Sequence, residues 1–184
     1  FRDARSTVNL SGSAEISDNY AGGCGGGVYL EVFYWDSNPN AYSNYCRLTM
    51  NGGKITGNTS VGEGGGVYAD ARNGNWRTKS VVMVKGSAQI TGNKKGEEDN
   101  NLYLPGPSEG VTIYGDLDET ADIRVTTETK PGAGSEMTIA ERGGGGAPEK
   151  VTVPDGAFKS DDANYNTRID ADGSTVKLVP HTHV

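Results

Sequence analysis

The chain has 184 residues, of which 28 are glycine and only three phenylalanine, with 34% in the hydrophobic set. Its net charge is −7 and no basic run exceeds Lys94-Lys95, which excludes a nucleic-acid binder, since that role needs a concentrated cationic surface. No stretch approaches the ~18 apolar residues of a membrane-spanning helix, so no membrane insertion is expected.

Low hydrophobicity with abundant glycine suits disorder when the glycines are scattered. Here they recur at fixed places. Three segments open alike, as Val8-Asn9-Leu10-Ser11-Gly12, Leu48-Thr49-Met50-Asn51-Gly52 and Val82-Met83-Val84-Lys85-Gly86. Each continues into a second block, as Glu15-Ile16-Ser17-Asp18-Asn19, Lys54-Ile55-Thr56-Gly57-Asn58 and Gln89-Ile90-Thr91-Gly92-Asn93. A third block follows, as Gly25-Gly26-Gly27-Val28-Tyr29, Gly64-Gly65-Gly66-Val67-Tyr68 and Asp99-Asn100-Asn101-Leu102-Tyr103. From Ile16 to Tyr29, Ile55 to Tyr68 and Ile90 to Tyr103 the spacing is 13 residues each time. The opening block returns once more as Val111-Thr112-Ile113-Tyr114-Gly115, so Gly12, Gly52, Gly86 and Gly115 lie 40, 34 and 29 residues apart. A constant inner spacing beside a variable outer period means rigid units joined by loops of different length.

Apolar residues alternate within the opening blocks, the period of a half-buried strand, and no long segment has helical spacing. The repeat therefore predicts an all-β parallel β-helix of about four coils or slightly more, each about 4.8 Å above the last. Like residues then stack: Ile16, Ile55 and Ile90 in one interior column, Leu10, Met50, Val84 and Ile113 in another, and Val8, Leu48, Val82 and Val111 in a third. Tyr29, Tyr68 and Tyr103 form a further ladder. Asn19, Asn58 and Asn93 are expected at one corner, where amides hydrogen-bond up and down the stack. Beyond Gly115 the pattern dissolves, with strand-like pieces at 122–127, 137–140, 150–153 and 175–179. Residues 1–115 are read as repeat coils, 116–180 as terminal coils and a divergent C-terminal cap, and 181–184 as the start of a linker. The chain begins mid-pattern at Phe1-Arg2-Asp3, as a piece of a larger protein would.

The units at 50–58 and 64–68 resemble repeats in large secreted, adhesin-like surface proteins of Gram-positive gut bacteria, described as pectate-lyase-like right-handed β-helices. The stretch from Val111 through Thr126-Thr127-Glu128 to Val176-Lys177-Leu178-Val179 is similar to the ends of such arrays. The resemblance covers roughly residues 8–180. It implies an extracellular location at the cell surface or wall and a monomeric module within a multidomain chain. Its implied partner is a host or microbial glycan or a surface protein. The chain departs from the pattern at Asp99-Asn100-Asn101, where the third glycine triplet is missing, and in the long insertion after Tyr29.

Cys24 and Cys46 bracket that insertion. In an exported protein this position predicts a disulfide closing the loop at its base, worth on the order of 3 kcal/mol; two unpaired thiols are the alternative. The loop is rich in aromatic and amide groups. Tyr34, Trp35, Tyr42 and Asn44, with Trp76 from the next loop along, form the candidate ligand-binding face. The competing reading packs these rings back onto the scaffold.

No catalytic residue is assigned. The only histidines are His181 and His183, and no carboxylate pair recurs at a spacing that suggests an acid/base dyad. No cofactor or metal is expected. Asp116, Asp118, Glu119 and Asp122, or Asp170 and Asp172, offer hard oxygen ligands for calcium, but neither group follows a known calcium loop, and solvated acidic turns are the alternative. The expected function is a non-catalytic structural and adhesive module that displays loops for glycan or protein binding. The alternative is an accessory or degenerate polysaccharide-processing domain.

Overall fold

The computed structural model describes residues 5–31, 45–69, 79–106, 110–144 and 146–181. The protein is all-β, with no helix among the described residues and therefore none long and apolar enough to cross a membrane. The first repeat holds β1 (Arg5–Ser17), β2 (Tyr20–Ala21) and β3 (Val28–Leu30). The second holds β4 (Tyr45–Thr56), β5 (Thr59–Ser60) and β6 (Val67–Ala69). The third holds β7 (Lys79–Gly86), β8 (Gln89–Ile90), β9 (Lys94–Lys95), β10 (Glu98–Asp99) and β11 (Leu102–Leu104). There follow β12 (Val111–Leu117), β13 (Asp122–Thr127), β14 (Met137–Arg142), β15 (Phe158–Ser160), β16 (Tyr165–Ile169) and β17 (Thr175–Pro180).

Thirteen of these strands form one sheet, mostly parallel, and β2, β5, β9 and β10 form a second, smaller one. Like strands of successive repeats pair in the register the sequence repeat predicts. Val8 faces Leu48, Leu48 faces Val82 and Val82 faces Val111. Leu10, Met50, Val84 and Ile113 align in the same way. Ile16, Ile55 and Ile90 form the third column, which runs on through Ile123 to Phe158. Ile55, Ile90, Ile123 and Phe158 are all buried. Each such side chain contributes about 1.5–3 kcal/mol relative to exposure. Val8 is the exception: at the end of its column it remains 36% exposed.

Gly12 and Gly52 carry φ of 58° and 81° where β1 and β4 bend between their two pairing segments, and Gly86, at 62°, ends β7 just ahead of β8; glycine adopts this backbone conformation without strain. Gly115 does not take this role. The register of β12 on β7 shifts between Ile113 and Leu117, so that Leu117 stands opposite Gly86.

The fourth repeat is shorter. In β13, Asp122 and Ile123 pair with β8, while Val125 and Thr126, only two residues further on, already pair with β11. The third repeat spends residues 91–101 between those same two ladders, building the corner and the β9–β10 hairpin. One straight strand thus replaces a strand, a corner and a second strand.

Parallel pairing continues from β12 to β14 and from β13 to β15. It ends at β17, which runs antiparallel along β14 and pairs antiparallel with β16. Of the strands expected after residue 115, 122–127 is confirmed, 137–140 extends to Arg142, and 175–179 extends to Pro180. Residues 150–153 are not a strand: Thr152 donates to the Asp116 carboxylate and accepts from Leu117 N, without forming a ladder. The strands β15 and β16 lie in segments without a strand signal in the sequence.

Candidate functional site

The corner asparagines form the most regular polar feature. Asn19 donates through its backbone N (3.1 Å) and Nδ2 (2.9 Å) to Asn58 Oδ1. Asn58 makes the same pair of bonds to Asn93 Oδ1, at 3.0 and 2.9 Å. Asn93 makes them to Asn101 Oδ1, at 2.7 and 3.0 Å. The missing third glycine triplet is explained here. The fourth repeat skips the corner, so it has no asparagine to place under Asn93, and Asn101 fills that place. Its own N and Nδ2 then donate to the two oxygens of Asp161, at 2.8 and 2.7 Å. In the second repeat the position equivalent to Asn101 is Gly66, and a Cβ there would stand 2.7 Å from Asn93 Cγ and 2.8 Å from Asn101 O.

The tyrosine ladder stacks as its sequence positions predict. Tyr29 and Tyr68 have ring centroids 5.3 Å apart at 23°, and Tyr68 and Tyr103 5.4 Å apart at 10°. Burial, and then the nearby Glu128 and Glu63 carboxylates, push the Tyr103 hydroxyl up to about 12.

Where the asparagine ladder ends, a groove of about 460 Å³ opens, lined by Glu63, Lys95, Asn100, Thr126, Lys130, Asp161 and their neighbours. The groove exists because β13 is short of the corner: the β9–β10 hairpin overhangs a repeat that has no counterpart beneath it. Glu63, Asp161 and Asp162 among its carboxylates are engaged. Asp161 also accepts from Thr126 Oγ1 at 2.6 Å. Glu63 pairs with Lys95, whose ammonium it holds above the usual lysine range, and accepts from Asn100 Nδ2 at 2.7 Å. Asp162 pairs with Lys130, which together with Asn164 N holds the carboxyl below the usual aspartate range. Asp170 and Asp172, outside the groove, are also lowered, by Thr175 and Ser174 respectively. A general acid at neutral pH needs the opposite displacement. Asp99 pairs in turn with Lys94 at 3.0 Å.

The predicted recognition face of Tyr34, Trp35, Tyr42, Asn44 and Trp76 lies outside the described residues. Asp116, Asp118 and Asp122 do not converge. Asp116 accepts from Thr152 N, Asp118 caps its own turn through Thr120 N and Oγ1, and Asp122 pairs with Lys159 and Arg124. Among the described residues no group of three or more metal-ligating side chains occurs. The bridge expected between Cys24 and Cys46 is not formed in this structure. Both are free, half-buried thiols; Cys46 Sγ donates to Glu31 O at 2.9 Å, and burial raises its pKa. The groove was missed from sequence because it is made by a deletion; the only signal was the loss of spacing after Tyr103.

Compared with known proteins, the chain matches no family model, no curated protein and no solved structure.

Proposed function

We propose that this chain is a right-handed parallel β-helix acting as a non-catalytic structural and adhesive module at a bacterial cell surface, holding variable loops out to a glycan or protein partner. The observation that carries this reading is the unbroken set of side-chain columns, from Ile16 to Phe158 and from Asn19 to Asp161. Such columns specify a rigid rod. Insertions, by contrast, fall between the third strand of one repeat and the first strand of the next, where they leave every column undisturbed. The engagement of Glu63, Asp161 and Asp162 in the groove favours a structural role for these carboxylates over chemistry.

The test is a glycan array combined with a reducing-sugar release assay on the 184-residue chain. Binding without turnover, lost in the Trp35→Ala/Trp76→Ala double variant, is the expected result. Release of sugar ends would overturn the proposal in favour of a polysaccharide-processing domain. Full binding by the double variant would move the ligand face elsewhere, with the groove beside Asp161 the next place to mutate.

A further inference from the structure

The two ends of the stack are chemically unlike. At the far end β17 covers β14 in the antiparallel sense and Asn101 spends its amide on Asp161, although β15 pairs only with β13 among the described residues. At the near end nothing equivalent occurs among the described residues. Among the described residues β1 pairs only with β4 and β2 only with β5, so each of these two strands of the first repeat keeps one edge unpaired by any described strand. The asparagine ladder is one-directional, every repeat donating two hydrogen bonds to the next. Asn58, Asn93 and Asn101 therefore each receive two on Oδ1, whereas Asn19 Oδ1 receives none from any described residue. The apolar columns are uncovered at the same end. Val8 is 36% exposed against 0% for Leu48, and Ile16 is half-buried where Ile55 is fully buried.

We infer that the β1 end is a docking surface for a further parallel repeat of the kind formed by residues 45–69, supplied from outside this sequence. The matching chemistry is specific. The partner repeat donates a backbone N–H and an asparagine amide to Asn19 Oδ1, sets an aliphatic residue over Ile16 and another over Val8, and pairs in parallel with β1. Unpaired parallel edges recruit strands for this reason. A second copy of the chain does not meet these demands. Its far end has β17 antiparallel over β14 and the ladder's last amide spent on Asp161, and two near ends facing each other oppose Asn19 Oδ1 with another acceptor.

The experiment places an extra copy of residues 45–78 directly ahead of residue 5, so that the added Asn58 falls one repeat before Asn19. The expected result is a higher unfolding midpoint, a protease-resistant added segment, and amide exchange in β1 slowed about tenfold or more. Slow exchange in β4 and β7 in both proteins confirms that the parent fold is intact. A fusion with alanine at the added Asn58 position should lose most of the gain. A protease-sensitive added segment with unchanged β1 exchange would overturn the inference. So would sedimentation of the unfused chain as a dimer with β1 already protected, which assigns the edge to self-association.

Discussion

Asn93 is the position at which the ladder can be tested most sharply. It is fully buried, and its side chain has five hydrogen-bonding contacts. Oδ1 accepts from Asn58 N and Nδ2, and the two N–H groups of Nδ2 are shared among Ile55 O (2.8 Å), Thr91 O (3.1 Å) and Asn101 Oδ1 (3.0 Å). Alanine removes all five, but several partners keep a second bond. Asn58 Nδ2 still reaches Ile16 O and Thr56 O, Ile55 O still accepts from Thr91 N, and Asn101 Oδ1 still accepts from Asn93 N. The backbone N–H of Asn58 is left without its acceptor. At a net ~0.5–1.5 kcal/mol per bond, with part recovered and one buried donor orphaned, the expected cost is about 3–4 kcal/mol. For an m-value of about 2–3 kcal/mol/M, that lowers the urea midpoint by about 1 M or more. Asn19→Ala loses only the bonds of Nδ2 to Asn58 Oδ1 and Ser17 O, at an exposed site, and should cost about 0.5–1 kcal/mol. Asn93→Asp should be worse than alanine at neutral pH, because it turns an oxygen toward acceptors. Its deficit should shrink as pH falls through the raised folded-state pKa of the new carboxyl. Equal costs for Asn93→Ala and Asn19→Ala in urea unfolding would refute the view that the ladder is a buried structural element.

Three further outcomes follow from the packing. Ile90→Ala, in the middle of its column, should cost about 3–4 kcal/mol in chemical denaturation, and Ile16→Ala at the exposed end about half that or less. Gly66→Ala should prevent folding or destabilise severely, because its methyl meets Asn93 Cγ and Asn101 O, whereas Gly23→Ala, with nothing within 4 Å of the added carbon, should stay within about 0.5 kcal/mol by thermal melting. The Tyr103 phenol is held protonated in the fold to about pH 12 against 10.0 for an ordinary tyrosine. The unfolded chain therefore loses this proton first, so stability contributed by the neutral phenol is intact below pH 10 and is lost as pH rises from there to about 12. Tyr103→Phe should remove that alkaline decline and one late step in the ultraviolet phenolate titration.

The columns were legible because identical spacing, 13 residues from each isoleucine to its tyrosine, maps directly onto parallel register. The corner glycines were legible for the same reason up to Gly86, and misleading at Gly115, where the pattern persists but the pairing shifts. Ile123 and Phe158 belong to the isoleucine column yet share no flanking motif with it. Once the corner is skipped, the chain returns to the ladder with a different residue count, and period alone cannot see that. Asn101 looked like a lost glycine; it is an asparagine because the neighbour it must replace is absent. The groove beside it was equally hidden, since Asp161 reaches the ladder across 60 residues. The aromatic loop residues remain a sequence inference, since they fall outside the described part of the chain.

The asparagine ladder also has an electrical sense. Four side-chain amides are lined up head to tail with their N–H ends all directed toward Asp161. Their dipoles add as those of a helix do, and the positive pole of the string meets a carboxylate rather than another amide. Each hydrogen bond polarises the next, so the anion strengthens bonds several repeats away from itself. A charge placed at one terminus thereby tightens the interior of the stack. Neutralising that single oxygen pair should loosen exchange not only at Asn101 but progressively back along the corner toward Asn58.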